Sequence, residues 1–217
     1  MTNILAIDTS TDTCSVSLGK NGEIFNFHQN LPRQHTENLL KVIKDLLDEA
    51  DLNYEDLNTV AVGIGPGSYT GIRLSCSVAQ GISFSQNIKG VVLSSLELLS
   101  LELNTKNSFK EVVGISEPNL GNIYIAHTSF IDGNFESSFE FIPKEEFRLE
   151  SYPEECVFVG EGCELFAEIE NQLPGASPKA SYMHKYINCF ANDTHLIEPE
   201  EILPIYLNDE NSWRKIK

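Results

Sequence analysis

The alternation of apolar and polar positions divides the start of the chain into short extended segments. Asn3 to Asp8 is apolar, Cys14 to Leu18 alternates, and Glu23 to Gln29 follows the turn dipeptide Asn21-Gly22. This pattern predicts three strands joined as an antiparallel meander. After Pro32 the period becomes helical: Leu39, Leu40, Val42, Ile43, Leu46 and Leu47 share one face, while Lys41, Lys44, Asp45, Asp48 and Glu49 turn away. Thr36 is the expected N-cap, with Glu37 in the first turn. Small and β-branched residues from Thr59 to Ile64 then predict a buried strand. It ends in Gly65-Pro66-Gly67-Ser68, and a helix is expected from about Thr70 to Ser85.

The second half repeats this order. Ile4-Leu5-Ala6-Ile7-Asp8 matches Val112-Val113-Gly114-Ile115-Ser116, and the alternating strand at Cys14 to Leu18 matches Asn122 to Ala126. Asp132-Gly133 takes the place of Asn21-Gly22. Thr59 to Gly65 likewise resembles Cys156 to Gly162, and each is expected to precede helix. A duplicated βββαβα unit follows. The second copy is reduced, because only Pro143 to Leu149 stands where the first has the long amphipathic helix, and a linker falls near Lys106 to Lys110.

Composition narrows the function classes. The 217 residues, 41% of them hydrophobic, suffice for a sizeable core in one domain or two lobes. A net charge of -17 repels phosphate backbones, so unaided nucleic-acid binding is not expected. The start has no cationic region and no stretch reaches membrane-spanning length, so a cytoplasmic protein is expected. Five cysteines at scattered spacing form no CxxC pair and no Cys/His cluster, so reduced thiols and no zinc are the reading.

Two short motifs bear on chemistry. Asp8-Thr9-Ser10-Thr11 joins the first two strands; it is either an ordinary polar turn or a place where hydroxyls and amides meet a phosphate and the carboxylate holds a cation. Gly65-Pro66-Gly67-Ser68-Tyr69-Thr70-Gly71 opens a helix, so Gly65, Gly67 and Ser68 either cradle an anion or form a tight reversal. The loop lacks the Gly-Lys-Ser/Thr ending of a P-loop. Arg73, just inside the helix, either neutralises an anion or pairs with an acidic surface. His35-Thr36-Glu37 reads as a helix start rather than a metal site. No nucleophile elbow or Cys/His arrangement occurs, so no catalytic residue is assigned. Ser75, Ser77, Ala79, Gly81 and Ser83 give the second helix a surface of small residues suited to close helix approach.

These segments resemble the bacterial family of tRNA threonylcarbamoyladenosine biosynthesis proteins called TsaB or YeaZ. The likeness rests on Ile4 to Ser10, on His35 to Leu40, and above all on Val62 to Arg73. Ser94 to Leu99 and Pro204 to Leu207 add to it, so it spans nearly the whole chain. The resemblance implies an α/β, actin-like ATPase (ribonuclease H-like) fold. Residues 1–105 would form the first lobe, with the glycine loop and partner-binding helices, and 106–217 a smaller lobe and tail. It further implies a non-catalytic subunit that acts with the catalytic paralogue TsaD and the ATPase TsaE. Together these transfer threonylcarbamoyl to N6 of the adenosine beside the anticodon. The paralogue's His-x-x-x-His metal motif falls where this chain has Ser95 and Leu99, so the metal is not expected. Family members usually open the second lobe with an Asp-Ala-Arg-like segment, and this chain departs from that with Ser116 to Asn122.

On this reading Asp8, Thr9, Ser10, Gly65, Gly67 and Ser68 are the phosphate contacts. The partner face comprises His35, Thr36, Leu39, Ile43, Tyr69, Thr70, Ile72, Arg73 and Cys76. No cofactor is expected to be held firmly, and ATP or ADP is placed at the partner interface. A homodimer is expected when the chain is alone, tRNA is met only through the complex, and the tail with Trp213, Arg214 and Lys215 is a docking end. The alternative on the same fold is a small-molecule kinase or ATPase. It requires a second carboxylate, and the corresponding position in the second meander is Ser116.

Overall fold

The computed structural model describes residues 3–119, 121–131, 133–192 and 195–205, without the side chains of Pro118 and Asn119. Tyr206, Leu207 and the tail with Trp213 lie outside the described residues, as do Leu120 and Asp132.

The meander forms as the pattern predicts: β1 (Ile4–Asp8), β2 (Thr13–Lys20) and β3 (Glu23–Asn30) pair antiparallel in sequence. The Asn21-Gly22 turn has both residues at positive φ, 53° and 90°, the backbone that Asn-Gly adopts at least cost. Helix α1 (His35–Glu49) follows, then β4 (Thr59–Gly63), α2 (Tyr69–Gln86), β5 (Gly90–Leu93) and α3 (Ser95–Asn107). The first sheet has the order β3-β2-β1-β4-β5, with β4 parallel to both β1 and β5.

The second sheet repeats that arrangement. Strands β6 (Glu111–Asn119), β7 (Asn122–Ile131) and β8 (Asn134–Pro143) form a meander, and β9 (Val157–Val159) and β10 (Gln172–Leu173) add in parallel beyond β6. Its order, β10-β9-β6-β7-β8, is the first sheet's order strand for strand. Helix α4 (Tyr182–Cys189) follows β10 as α3 follows β5, so the repeating unit is βββαβαβα, one strand and one helix longer than expected. The counterparts of α1 and α2 are reduced to single 3₁₀ turns at Lys144–Glu146, Leu149–Ser151 and Glu161–Leu165. Pro143, Pro153, Gly160 and Gly162 interrupt this stretch and account for the loss of helix.

Three apolar clusters hold the layers. Leu5, Ile7, Val16 and Leu18 of the first sheet pack under α1 and α2 with Leu39, Ile43, Leu47 and Ile72. The opposite face, with Ile4, Ala6, Ala61 and Leu93, meets α3, α4 and the second sheet through Leu98, Leu101, Tyr124 and Met183. Helix α3 is buried on all sides from Ser95 to Leu103, so the lobes share one central layer. The change of sheet falls at 108–110, just past the expected break at 105, which lies inside α3. Two helix details differ from expectation. Gln34, not Thr36, precedes the first turn of α1, and Thr36 lies inside the helix; Leu40 is 58% exposed, off the buried face.

Candidate functional site

A cleft of about 680 Å³ opens where the two sheets meet, lined by the loops that leave the carboxyl ends of β1, β4, β9 and β10, by the start of α3 after β5, and by Ser116 and Glu117 in the later part of β6. Ligands of open α/β sheets bind at such loops. One wall is Ser10 to Thr13, Gly67 to Tyr69 and Arg73; the other is Ser116, Glu117, Glu161 and 174–178. Asp12, Glu117 and Glu161 make the lining acidic, and Arg73 is the one cationic side chain among the lining residues described. Its guanidinium lies 3.6 Å from the centre of the Tyr69 ring.

The Asp8 turn is saturated from within. Asp8 is fully buried; its Oδ1 accepts from the Ser10 amide at 3.0 Å and the Ser10 hydroxyl at 2.7 Å, and its Oδ2 accepts from the Ser95 hydroxyl at 2.8 Å. Burial pushes its carboxyl above the usual range, against the opposing pull of those hydrogen bonds and of nearby His35. Thr9, also fully buried, donates its hydroxyl to the Gly71 carbonyl at 2.7 Å.

The glycines are shaped by this turn rather than by empty space for a phosphate. A Cβ at Gly63 would lie 1.8 Å from Asp8 Oδ2, one at Gly67 would lie 2.2 Å from the Ser10 carbonyl oxygen, and one at Gly71 would lie 1.9 Å from that of Thr9. Two amides of the loop are engaged within the protein. Ser68 N–H donates to the Ser10 carbonyl at 2.6 Å, and Gly71 N–H to the Ser68 hydroxyl at 3.3 Å, which caps α2. The second lobe repeats the device: a Cβ at Gly160 would lie 2.5 Å from the Ile115 carbonyl oxygen. Of the six residues expected to contact phosphate, Ser10, Gly67 and Ser68 line the cleft, while Asp8, Thr9 and Gly65 are buried beneath it.

The expected partner face needs a sharper correction. Leu39, Ile43, Ile72 and Cys76 fill the chain's own core, and His35 is buried with Nε2 2.8 Å from the Thr11 carbonyl oxygen, so none of these side chains presents a surface. Burial pushes the Cys76 thiol up to about 12. Thr36, Tyr69, Thr70 and Arg73 are exposed. The outer stripe of α2 continues through Ser77 and Gly81 to Phe84, which is 69% exposed and carried no motif in the sequence.

On the far wall, Ser116 donates its hydroxyl to Glu161 at 2.5 Å, and Glu117 accepts from the Gly121 amide at 3.1 Å within the segment that departs from the family pattern. Ser95 and Leu99 both line the cleft. Ser95 was missed as a partner of Asp8, although the Ser94-x-x-Glu97 capping box that starts α3 is readable; Glu97 Oε2 accepts from the Ser94 amide at 2.7 Å. Glu161 and the loop 174–178 had no signal in the sequence.

Two copies of one five-stranded mixed sheet around a shared cleft define an actin-like, ribonuclease H-like protein. Residues 29–126 match the model of the family described as TsaD, tRNA N6-adenosine threonylcarbamoyltransferase. The chain is 33% identical to the tRNA threonylcarbamoyladenosine biosynthesis protein TsaB of Buchnera aphidicola subsp. Schizaphis graminum, over 82% of this chain and 87% of that one. It is 29% identical to TsaB of Haemophilus influenzae, over 98% and 96%. The solved structure of YeaZ from Pseudomonas aeruginosa superposes with a TM-score of 0.84 at 25% identity, over 95% of this chain and all of that one. The chain belongs to the TsaB family, and its role lies in the synthesis of threonylcarbamoyladenosine in tRNA.

Proposed function

We propose that the chain serves this pathway as a non-catalytic subunit, docking through the outer stripe of α2 onto a TsaD-like catalytic paralogue, with a TsaE-like ATPase as the further member. The observation that carries the reading is the internal saturation of the Asp8 turn. The carboxylate best placed to hold a cation is buried and hydrogen-bonded to Ser10 and Ser95, and the Ser68 amide of the glycine loop is spent on the same turn. Tyr69, Arg73 and Phe84 supply the aromatic and arginine character common in protein interfaces, and Ser77 and Gly81 between them let a second helix approach closely. The same stripe pairs two copies when the chain is alone. An acidic cleft with Arg73 as its cation holds no nucleotide firmly; ATP or ADP is met where the partner adds positive charge. On this reading the protein works in the cytoplasm, alongside the tRNA it helps to modify; no helix among the described residues is long and apolar enough to cross a membrane.

Mixing the purified chain with the catalytic paralogue tests this directly. Co-elution at micromolar concentration, lost on Phe84→Glu, is expected; a pair that stays apart with nucleotide present contradicts it. A second reading, a small-molecule kinase or ATPase, draws on Glu117 and Glu161, which bring carboxylates to the cleft opposite Ser10. Steady ATP turnover by the lone chain, abolished by Glu161→Gln, is the result that reading requires.

A further inference from the structure

A second cluster of chemistry-bearing side chains lies at the opposite end of the second sheet from the cleft. Glu111 opens β6, while Ser116, which lines the cleft, lies further along the same strand, at roughly 3.3 Å of rise per residue. In the register of the sheet Val113 faces His127, and Val113 pairs with Phe158 on the other side. That places Glu111, His127 and Cys156 on one face, beside the cluster formed by Phe147, Phe158 and Phe166. His127 Nε2 lies 2.8 Å from Glu111 Oε2 and 4.0 Å from Cys156 Sγ, and one ligand atom from each of the three residues falls within 4.8 Å of the others. The Tyr152 ring meets the imidazole edge-on at 5.6 Å between centroids.

We propose that Glu111, His127 and Cys156 form a binding site for one borderline-soft divalent ion of the Zn²⁺ class, with water in the fourth position. A thiolate, an imidazole and a carboxylate together select such an ion over Mg²⁺ or Ca²⁺, which take oxygen ligands. Zinc bonds of about 2.0–2.3 Å in tetrahedral geometry set ligand atoms roughly 3.3–3.7 Å apart. Binding therefore draws the sulfur in and opens the His127–Glu111 contact, each by about half an ångström. Without metal the thiol is neutral, pushed up to about 12 by burial and by the carboxylates of Glu111 and Glu155. A divalent cation reverses that electrostatic balance: Cys156 gives its proton to solvent as the metal–sulfur bond forms, so affinity rises with pH. Glu111 and His127 are only partly buried, which leaves an entry path. Bound there, the ion ties β6, β7 and the start of β9 together in the lobe that has lost its long helices.

Titration with Co²⁺ reads the site without any assay of tRNA modification. The wild-type chain is expected to take up one Co²⁺ with a thiolate-to-cobalt charge-transfer band, displaced by Zn²⁺, and to melt at higher temperature with Zn²⁺ than with a chelator. Cys156→Ser should abolish the band, and Glu111→Gln should weaken uptake by at least about a hundredfold. Cys189→Ser, at the exposed cysteine, should leave both unchanged. Circular dichroism of the metal-free variants checks their fold. Absence of the band in the wild-type chain, or a band that survives Cys156→Ser, would overturn the proposal. So would equal uptake in Glu111→Gln.

Discussion

Gly63 has no room for a methyl group: Asp8 Oδ2 would stand 1.8 Å from it. Replacing Gly63 by Ala is expected to cost more than about 3 kcal/mol of stability in urea denaturation, because backbone and a buried carboxylate must both move. Gly81, exposed inside α2 with nothing within 4 Å of a Cβ, has the opposite sign, and Gly81→Ala should stabilise by about 0.5–1 kcal/mol. Both glycines are plain in the sequence, but what each one faces is not. The atoms that fix Gly63, Gly67 and Gly71 belong to Asp8, Ser10 and Thr9, far upstream, and only the β1–β4 pairing brings them together. The Glu111, His127 and Cys156 cluster is illegible for the same reason: its ligands share no spacing motif and meet only through sheet register.

At the scale of elements, buried ionisable groups tie the central helices to the sheets. His184 on α4 lies with Nε2 2.8 Å from the Ser17 hydroxyl on β2 and packs on Gly19, where a Cβ would come within 2.9 Å of the ring. Burial lowers it from 6.5 to about 4. The unfolded chain thus binds the extra proton between these values, and the stability from this group is lost as pH falls from about 6.5 towards 4. Glu97, at the start of α3, is raised from 4.5 to about 7 by burial. Here the folded chain binds the extra proton, so stability is lost as pH rises through that window. Glu97→Gln should remove this loss, worth on the order of 2–3 kcal/mol at neutral pH, in melts compared across pH. The two slopes oppose each other between 4.5 and 6.5, so the single variants reveal what the wild-type chain conceals. The long amphipathic helix and the first meander were legible from their periods. Strand β5, with four residues, is too short to show one, and α3, buried on every side, has no polar face to mark it.

At the scale of the molecule, the duplication was visible as two matched pairs of apolar strands, and the identical strand orders carry it through to the fifth strand of each sheet. A chain of net charge -17 with an acidic cleft should show no measurable tRNA affinity alone at physiological salt; filter binding checks this. On the proposed reading its contribution to the modification runs through protein contact, and the exposed stripe of α2 is where that contact is expected. The central measurement is mass-spectrometric quantification of threonylcarbamoyladenosine in bulk tRNA from cells depleted of this protein and complemented with variants. The nucleoside should return with the wild-type chain and with Glu161→Gln, and should stay low with Phe84→Glu at equal protein level. Loss of the nucleoside with Glu161→Gln, together with full recovery by Phe84→Glu, would contradict a docking subunit and point to chemistry in the chain's own cleft.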